Sequence, residues 1–430
     1  MNEPSTRSSL AFVYASYAAR YLYLLILIPF YGRVLGPTEY GKVLSAMSLF
    51  GVVWLLTNYG FAVVGTRAVA SAKDTSTISA EFGRHFKARL LMCAIGIAVG
   101  LGGTALSPVL RSDPAFGIIA TALGLVSTFN LGWYFQGRGR FRTSVLLEVA
   151  GFAISLAMIL SLVRTSRDGL LVMIALLVSG TLTTVVSYLI ALPALDRSAI
   201  KLKGGLSLIR ESTAVFAASG IGVVTTNASI FVLSLFATAQ HVGFFGAADR
   251  IANLGISLMT PANQVLVGTV SRRLAIGSGP DDAFVLMRKS LVAMLAFGLA
   301  AMAVSVVFAP WAVPLVMGAE FRPSVVLVQV LGVVFPFAAF NQAARMYVLI
   351  PLRHDAAVAR VSIIGALITL IAIGFFVTPW GGMGVVIAKI VGEITVTLAT
   401  IIIMLRDREL RSIFSRGNHG RRQGSGGVDT

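Results

Sequence analysis

The sequence predicts an all-α, multi-pass membrane protein, and three observations carry that reading. Of 430 residues, 56% are hydrophobic and only 12% charged, with a mean hydropathy of +0.85; a soluble chain of this length needs far more charge to cover its surface. Apolar runs long enough to cross a bilayer recur from end to end. The runs are continuous rather than alternating, which excludes a β-barrel, and the basic residues fall on alternate connections between them.

Taken in order, the runs predict twelve helical spans. The first six fall at about 10–32, 42–66, 89–110, 115–136, 144–163 and 169–193; the second six fall at about 213–236, 243–269, 290–317, 325–350, 357–378 and 382–405. Of the 35 lysines and arginines, Arg33, Lys42, Arg111, Arg164, Arg167 and Arg322 lie on one set of connections, and Arg20, Arg250, Arg345 and Lys389 lie inside spans. The other 25 lie on the opposite set of connections or at the termini. Lysine and arginine concentrate on the cytoplasmic side, so both termini are expected there, and an even number of spans is required. This distribution also accounts for most of the net charge of +17 without a nucleic-acid partner.

Each span has local features. In span 1, Pro29 is a candidate kink, and the connection GPTEYG joins a turn-forming Gly-Pro to Tyr40 at the interface. The polar end of span 2, NYGFAVVGTR, either belongs to a pathway or serves close packing. Between Ala68 and Arg89 the stretch TISAEFGRHFKARL reads as an amphipathic helix on the inner surface. Span 4 ends in FNLGWYFQGRGRFR. Trp133 and Tyr134 there suit an aromatic belt and Arg138, Arg140 and Arg142 suit anionic headgroups, or Gln136 and Arg138 admit a phosphate headgroup. Glu148, near the inner end of span 5, either snorkels to the interface or pairs with an arginine of the pathway.

ALPALDRSAIKLKGGLSLIRES is the longest linker, and its second part is expected to lie along the membrane before span 7. It divides the chain into an N-terminal six-helix lobe at 1–200, a second lobe at 201–405 and a basic, disordered cytoplasmic tail at 406–430. Matching strings, such as Phe129-Asn130 and Phe340-Asn341, suggest a duplication with the two lobes parallel in the membrane.

Charges inside spans are costly and mark function. Arg20, Arg250 and Arg345 together fit a wet cavity that favours an anion, because the guanidinium fork donates paired hydrogen bonds to phosphate. Lys389 and Glu393 are four apart and form a pair on one helix face, while the adjacent Asp249 and Arg250 need different partners. Glu148, Asp249 and Glu393 are the candidate coupling or charge partners. No Walker loop, HExxH, CxxC or GxSxG string is present, so the sequence names no catalytic residue, metal or cofactor. The lone Cys93 reads as a packing residue.

Six strings in this order carry a resemblance: GRVLGPTEYGK at 32–42, NYGFAVVGTRAVA at 58–70, FNLGWYFQGRGRFR at 129–142, VGFFGAADRI at 242–251, MGAEFRPS at 317–324 and GGMGVVIAKIVGE at 381–393. The chain resembles polysaccharide transporters, the Wzx-like flippases of the multidrug/oligosaccharidyl-lipid/polysaccharide (MOP) superfamily. That resemblance implies two parallel six-helix lobes around a central cavity, the MATE-like fold. It implies a flippase in the bacterial inner membrane, carrying an isoprenoid-diphosphate-linked oligosaccharide to the periplasmic leaflet by alternating access; monomeric transport is the separate expectation. The product is a surface polysaccharide: exopolysaccharide, capsule or O-antigen. Arg20 and Arg250 match positions of a cationic diphosphate cavity, and Arg345 and Lys389 follow. Anionic lipids, a polymerase and glycosyltransferases are the further partners it implies. The alternatives are a cation-coupled drug or metabolite antiporter of the same superfamily, which the scarcity of acids disfavours, and a noncatalytic scaffold of a polysaccharide-synthesis complex, which gives the arginines no purpose.

Overall fold

The computed structural model describes residues 6–257, 280–407 and 410–411, with side chains for 19–216, 229–256, 284–407 and 410–411. Every regular element among them is helical. The helices are α1 (Thr6–Asn58), α2 (Phe61–Ser71), α3 (Thr75–Leu106), α4 (Pro108–Arg111), α5 (Pro114–Thr128), α6 (Gly132–Gly137), α7 (Phe141–Leu162) and α8 (Gly169–Ala191). They continue as α9 (Gly205–Phe236), α10 (Ala239–Ser257), α11 (Pro280–Met317), α12 (Ser324–Leu331), α13 (Val334–Ala343), a π-helical turn (Ala344–Leu349) and α14 (Asp355–Arg406).

Among the described residues, eight helices are long and apolar enough to cross a membrane. Two of them are long enough for two crossings. Ala19–Asn58 has 40 residues and Asp355–Arg406 has 52, about 60 and 78 Å at the helical rise, against a hydrocarbon core of about 30 Å. Each is broken inside. Gly36 has φ 68° and ψ 175°, a conformation only glycine adopts without strain, directly before Pro37, which bars an α-helical predecessor. Gly381 breaks α14 with φ 51° and ψ −125°. Pro29 lies inside α1 without a break, so the kink expected there is at Gly36 instead.

Spans 2 and 4, expected to be single helices, are interrupted. Span 2 stops at Asn58, turns through Tyr59 (φ 42°) and Gly60 (φ 75°), and resumes as α2. Span 4 stops at Thr128 and resumes as α6, with Asn130 Oδ1 accepting the freed Gly132 N–H at 2.8 Å. The two short helices pack on each other: Thr66 Oγ1 donates to the Trp133 carbonyl at 3.2 Å, and a Cβ on Gly137 would lie 2.9 Å from the Thr66 carbonyl oxygen.

The amphipathic stretch before span 3 is not a separate surface helix. It forms the first turns of α3, capped by Asp74, which accepts the Thr77 N–H at 2.6 Å; that bond holds the Asp74 carboxyl below its ordinary range. Ile78, Phe82 and His85 on it are buried. GLSLIRES likewise forms the start of α9 rather than a surface segment. The linker ahead of it is strapped onto α3. Asp196 N donates to Ser79 Oγ at 2.8 Å, Arg84 Nε donates to the Gly204 carbonyl at 3.3 Å, and Arg84 also bonds Ser207 and Glu211. Arg272 and Arg273 of the expected loop after span 8 and most of the basic tail lie outside the described residues, whereas Arg288 and Lys289, expected in the same loop, lie in the first turns of α11.

The chain divides into two compact units: Met1–Ala247 with Val313–Arg322, and Ala248–Ala312 with Pro323–Thr430. In the first, α1 and α10 meet backbone to backbone. A Cβ on Gly41 would stand 1.7 Å from the Ala239 carbonyl oxygen, and one on Gly243 would stand 1.9 Å from that of Pro37. Tyr40 is buried beside this seam, its ring 6.1 Å from Phe321, rather than at the interface as expected; the Gly36 break turns that segment inward.

A backbone clash cannot be relieved by a rotamer. Gly41→Val and Gly243→Val are therefore expected to destabilise the protein by at least ~1–3 kcal/mol, read as a lowered unfolding temperature in detergent. Gly102→Ala, where a Cβ meets nothing within 4 Å, leaves that temperature unchanged or raises it slightly.

Candidate functional site

In the first unit, α1, α2, α5, α6, α7 and α8 enclose a cavity of about 850 Å³. Most of its wall is apolar, with hydroxyl and amide side chains set into it: Asn58, Thr66, Ser127, Thr128, Asn130, Gln136, Ser144, Ser155, Ser179, Thr183 and Thr184. Trp54, Phe50, Tyr23, Phe152 and Trp133 add aromatic rings, and the charged side chains are Arg20, Arg67 and Glu148. Many of the hydroxyls bond carbonyls of their own helix, as Ser155 does to Gly151 at 2.9 Å and Thr183 to Ser179 at 2.9 Å. They line the cavity without leaving orphaned donors.

The charges sit on a seam between α1 and α7. Arg20 donates to Glu148 Oε1 at 2.5 Å. One helical turn further on, Tyr23 stacks on Phe152 at 5.0 Å between centroids and shares a hydrogen bond of 3.1 Å with Ser155. Residues three to seven apart on facing helices thus zip together. The ion pair stays open, with side-chain exposures of 55% for Arg20 and 33% for Glu148. The structure therefore brings Glu148 to Arg20. Arg67, at the other end of the α2 face, is exposed and makes no ion pair among the described residues. Gln136 faces the cavity; Arg138 follows α6 outside the lining.

Trp133 is 4% exposed and forms a cavity wall with a charged backing. His85 stacks on it at 4.5 Å, and the Arg89 guanidinium lies 5.0 Å from its ring and 5.7 Å from that of Phe61. Arg89 is 2% exposed, and its Nε, both His85 ring nitrogens, Glu81 Oε2, Trp133 Nε1 and the Tyr134 hydroxyl are buried without a hydrogen-bond partner. The aromatic faces partly replace water around the cation. Arg89, expected on an amphipathic helix of the inner surface, is buried instead, and Trp133 and Tyr134, expected in an interfacial belt, turn inward against α3. The signal was present: Glu81, His85 and Arg89 recur every four residues, one face of a helix.

The second unit holds the remaining intramembrane charges. Lys389 pairs with Asp249, which also accepts from Asn253 at 2.9 Å. Glu393 accepts the Asn341 side-chain amide at 2.7 Å, and Thr397 donates to Asn341 at 2.9 Å. Lys389 and Glu393, expected to share one helix face, each also bond a residue of another helix, and the charges of Lys389 and Arg345 both act on Glu393. Arg345 donates to Gln342 at 2.7 Å, and its Nε is buried without a partner. Arg250 is half-buried and makes no ion pair among the described residues. No group of three or more His, Cys, Asp or Glu that could hold a metal occurs among the described residues.

Comparison with known proteins follows this geometry. The family model described as "Polysaccharide biosynthesis protein" matches residues 7–273. A "Putative O-antigen transporter" of Shigella dysenteriae is 21% identical over 399 residues, covering 91% of this chain and 98% of the relative. A protein of the same description from Escherichia coli (strain K12) is 21% identical over 417 residues, covering 95% and 99%. Among solved structures, "Lipid II flippase MurJ, inward closed conformation" superposes with a TM-score of 0.66 at 13% identity, over 94% of this chain and 90% of that one. An inward-facing multidrug resistance MATE family transporter of the MOP superfamily gives 0.61 at 16% identity, over 92% and 99%. These likenesses show an all-α, multi-span membrane fold shared with MurJ and MATE proteins. The chain belongs to the polysaccharide biosynthesis protein family.

Proposed function

We propose that the protein is a flippase that moves an isoprenoid-diphosphate-linked oligosaccharide from the cytoplasmic to the periplasmic leaflet of the bacterial inner membrane, for a surface polysaccharide. The observation that carries this reading is the cavity of the first unit: a space of about 850 Å³ with hydroxyl and amide groups set into an apolar wall, holding two arginines and one carboxylate. Its hydroxyl and amide groups suit sugar hydroxyls, its aromatic rings suit the apolar faces of pyranoses, and its arginines suit phosphate. The relatives described as O-antigen transporters support the cargo class. An antiporter of cations needs a carboxylate free to bind them; Glu148, the one carboxylate on the lining, is held by Arg20.

The prenyl chain remains in lipid, while the headgroup passes by alternating access. Twelve spans follow if α1 and α14 are each divided at their glycine breaks and α9 and α10 each cross once. That even number keeps both termini cytoplasmic, with lobes at 1–200 and 201–405 and the tail at 406–430. Arg250, Arg345 and Lys389 remain candidate cations of the pathway, and Gln136 and Arg138 candidates for admitting the headgroup. Monomeric transport fits this reading, with a polymerase and glycosyltransferases as neighbours in synthesis.

Translocation of a prenyl-diphosphate oligosaccharide in reconstituted vesicles tests the function. Arg20→Ala is expected to slow it at least ~10-fold, the scale of one lost charge-assisted hydrogen bond; wild-type protein that moves no such lipid, or an Arg20→Ala protein that moves it normally, overturns the reading. Topology is checked in a Cys93→Ala background. Gly139→Cys and Ser198→Cys are expected to react with impermeant maleimide only from the cytoplasmic side, and Ser166→Cys only from outside. Labelling of Gly139→Cys from outside excludes the twelve-span arrangement.

A further inference from the structure

The one ion pair on the cavity lining is unlike the others nearby. Arg20 and Glu148 meet at 2.5 Å yet both remain open, at 55% and 33% exposure. A pair as exposed as this adds little to stability, and the α1–α7 seam is already held by the Tyr23–Phe152 stack and the Tyr23–Ser155 hydrogen bond. The pair therefore needs a reason other than holding two helices together. Chemistry supplies one. A carboxylate offers a guanidinium the same arrangement of acceptor oxygens that a phosphate offers, so one can replace the other on the same nitrogens.

Because both groups are open, parting them costs little. Exchanging one anion for another on Arg20 therefore needs only a small gain from the arriving phosphate. Arg67 lies on the same lining with no ion pair among the described residues, so it offers an arriving anion a first contact that displaces nothing.

We infer that Glu148 is a built-in substitute for the cargo's phosphate. It holds Arg20 until a phosphate captured at Arg67 replaces it, and it reclaims Arg20 as the headgroup leaves. This rests on the flippase reading of the same cavity. Glu148 is then a positioning residue that sets how tightly the headgroup binds and how readily it departs. Its removal has opposite effects on these two quantities. A merely structural ion pair weakens both when broken.

The test uses the full-length protein in detergent, with inorganic diphosphate as the probe in calorimetry, and in vesicles with the prenyl-diphosphate oligosaccharide. Glu148→Gln, close in shape, is expected to tighten diphosphate binding up to about fivefold, the upper scale for a competitor this exposed, while slowing translocation at saturating cargo. In an Arg20→Gln background the same substitution produces no gain. Arg67→Gln slows association more than it speeds dissociation. Glu148→Asp, whose shorter carboxylate reaches Arg20 less well, gives an intermediate gain and serves if the glutamine variant does not fold. Unchanged or weaker binding in a folded Glu148→Gln protein overturns the inference, as does a matched loss of binding and unfolding temperature. A wild-type protein that binds no diphosphate overturns instead the flippase reading on which the inference stands.

Discussion

In hydrocarbon, a backbone N–H or carbonyl that leaves its helix has no water to bond, so non-helical backbone survives only where protein covers it or a cavity wets it. The first unit is arranged around that constraint. Its helices break at Gly36, at Tyr59–Gly60 and at Phe129–Leu131, and the last two breaks border the cavity: Asn58 and Ala62 line it at one, Asn130 and Gly132 at the other. Side chains meet the backbone beside the breaks: Asn130 accepts the freed Gly132 N–H, and Thr66 donates to the Trp133 carbonyl. Breaking the spans makes room for polar side chains, and the polar side chains make the breaks tolerable.

How much of this the sequence discloses depends on the physics involved. Gly36-Pro37 is legible because two residues with extreme backbone preferences stand together. The multi-span class is legible because it rests on composition summed over hundreds of residues. The intramembrane charges are legible because an arginine in an apolar run needs an account wherever it points. The fate of Trp133, Tyr134 and Tyr40 is not legible: an aromatic residue beside a polar stretch suits an interface and a packed core equally well. Only the turn of the backbone at Asn130 or Gly36 decides between them. For Arg89 the helix is legible but its direction is not: a cation on an amphipathic helix suits the inner surface, whereas the helix from Thr75 carries it against the Trp133 and Phe61 rings.

Pairings were harder still to read than positions. Lys389 and Glu393 have the i, i+4 spacing of a helix pair, worth only about 0.2–0.5 kcal/mol when exposed. Partners on other helices add to it. Asp249 bonds Lys389, and the Asn341 amide bonds Glu393. A local rule of small magnitude does not name the partners that tertiary packing brings, and the sequence records the spacing but not the packing.

The two intramembrane ion pairs differ in a way that bears on transport. Asp249 and Lys389 are 6% and 19% exposed, and Asp249 is further held by Asn253. Separating such a pair strands desolvated charge and costs several kcal/mol, so it suits a fixed joint. Arg20 and Glu148 are several times more exposed, and water can reach each when they part. A transporter must make and break its contacts with cargo at every turnover, and a contact with a high cost of separation becomes a trap. The exposed pair is the one whose separation is cheap, and it lies on the cavity lining, where cargo can perform the exchange.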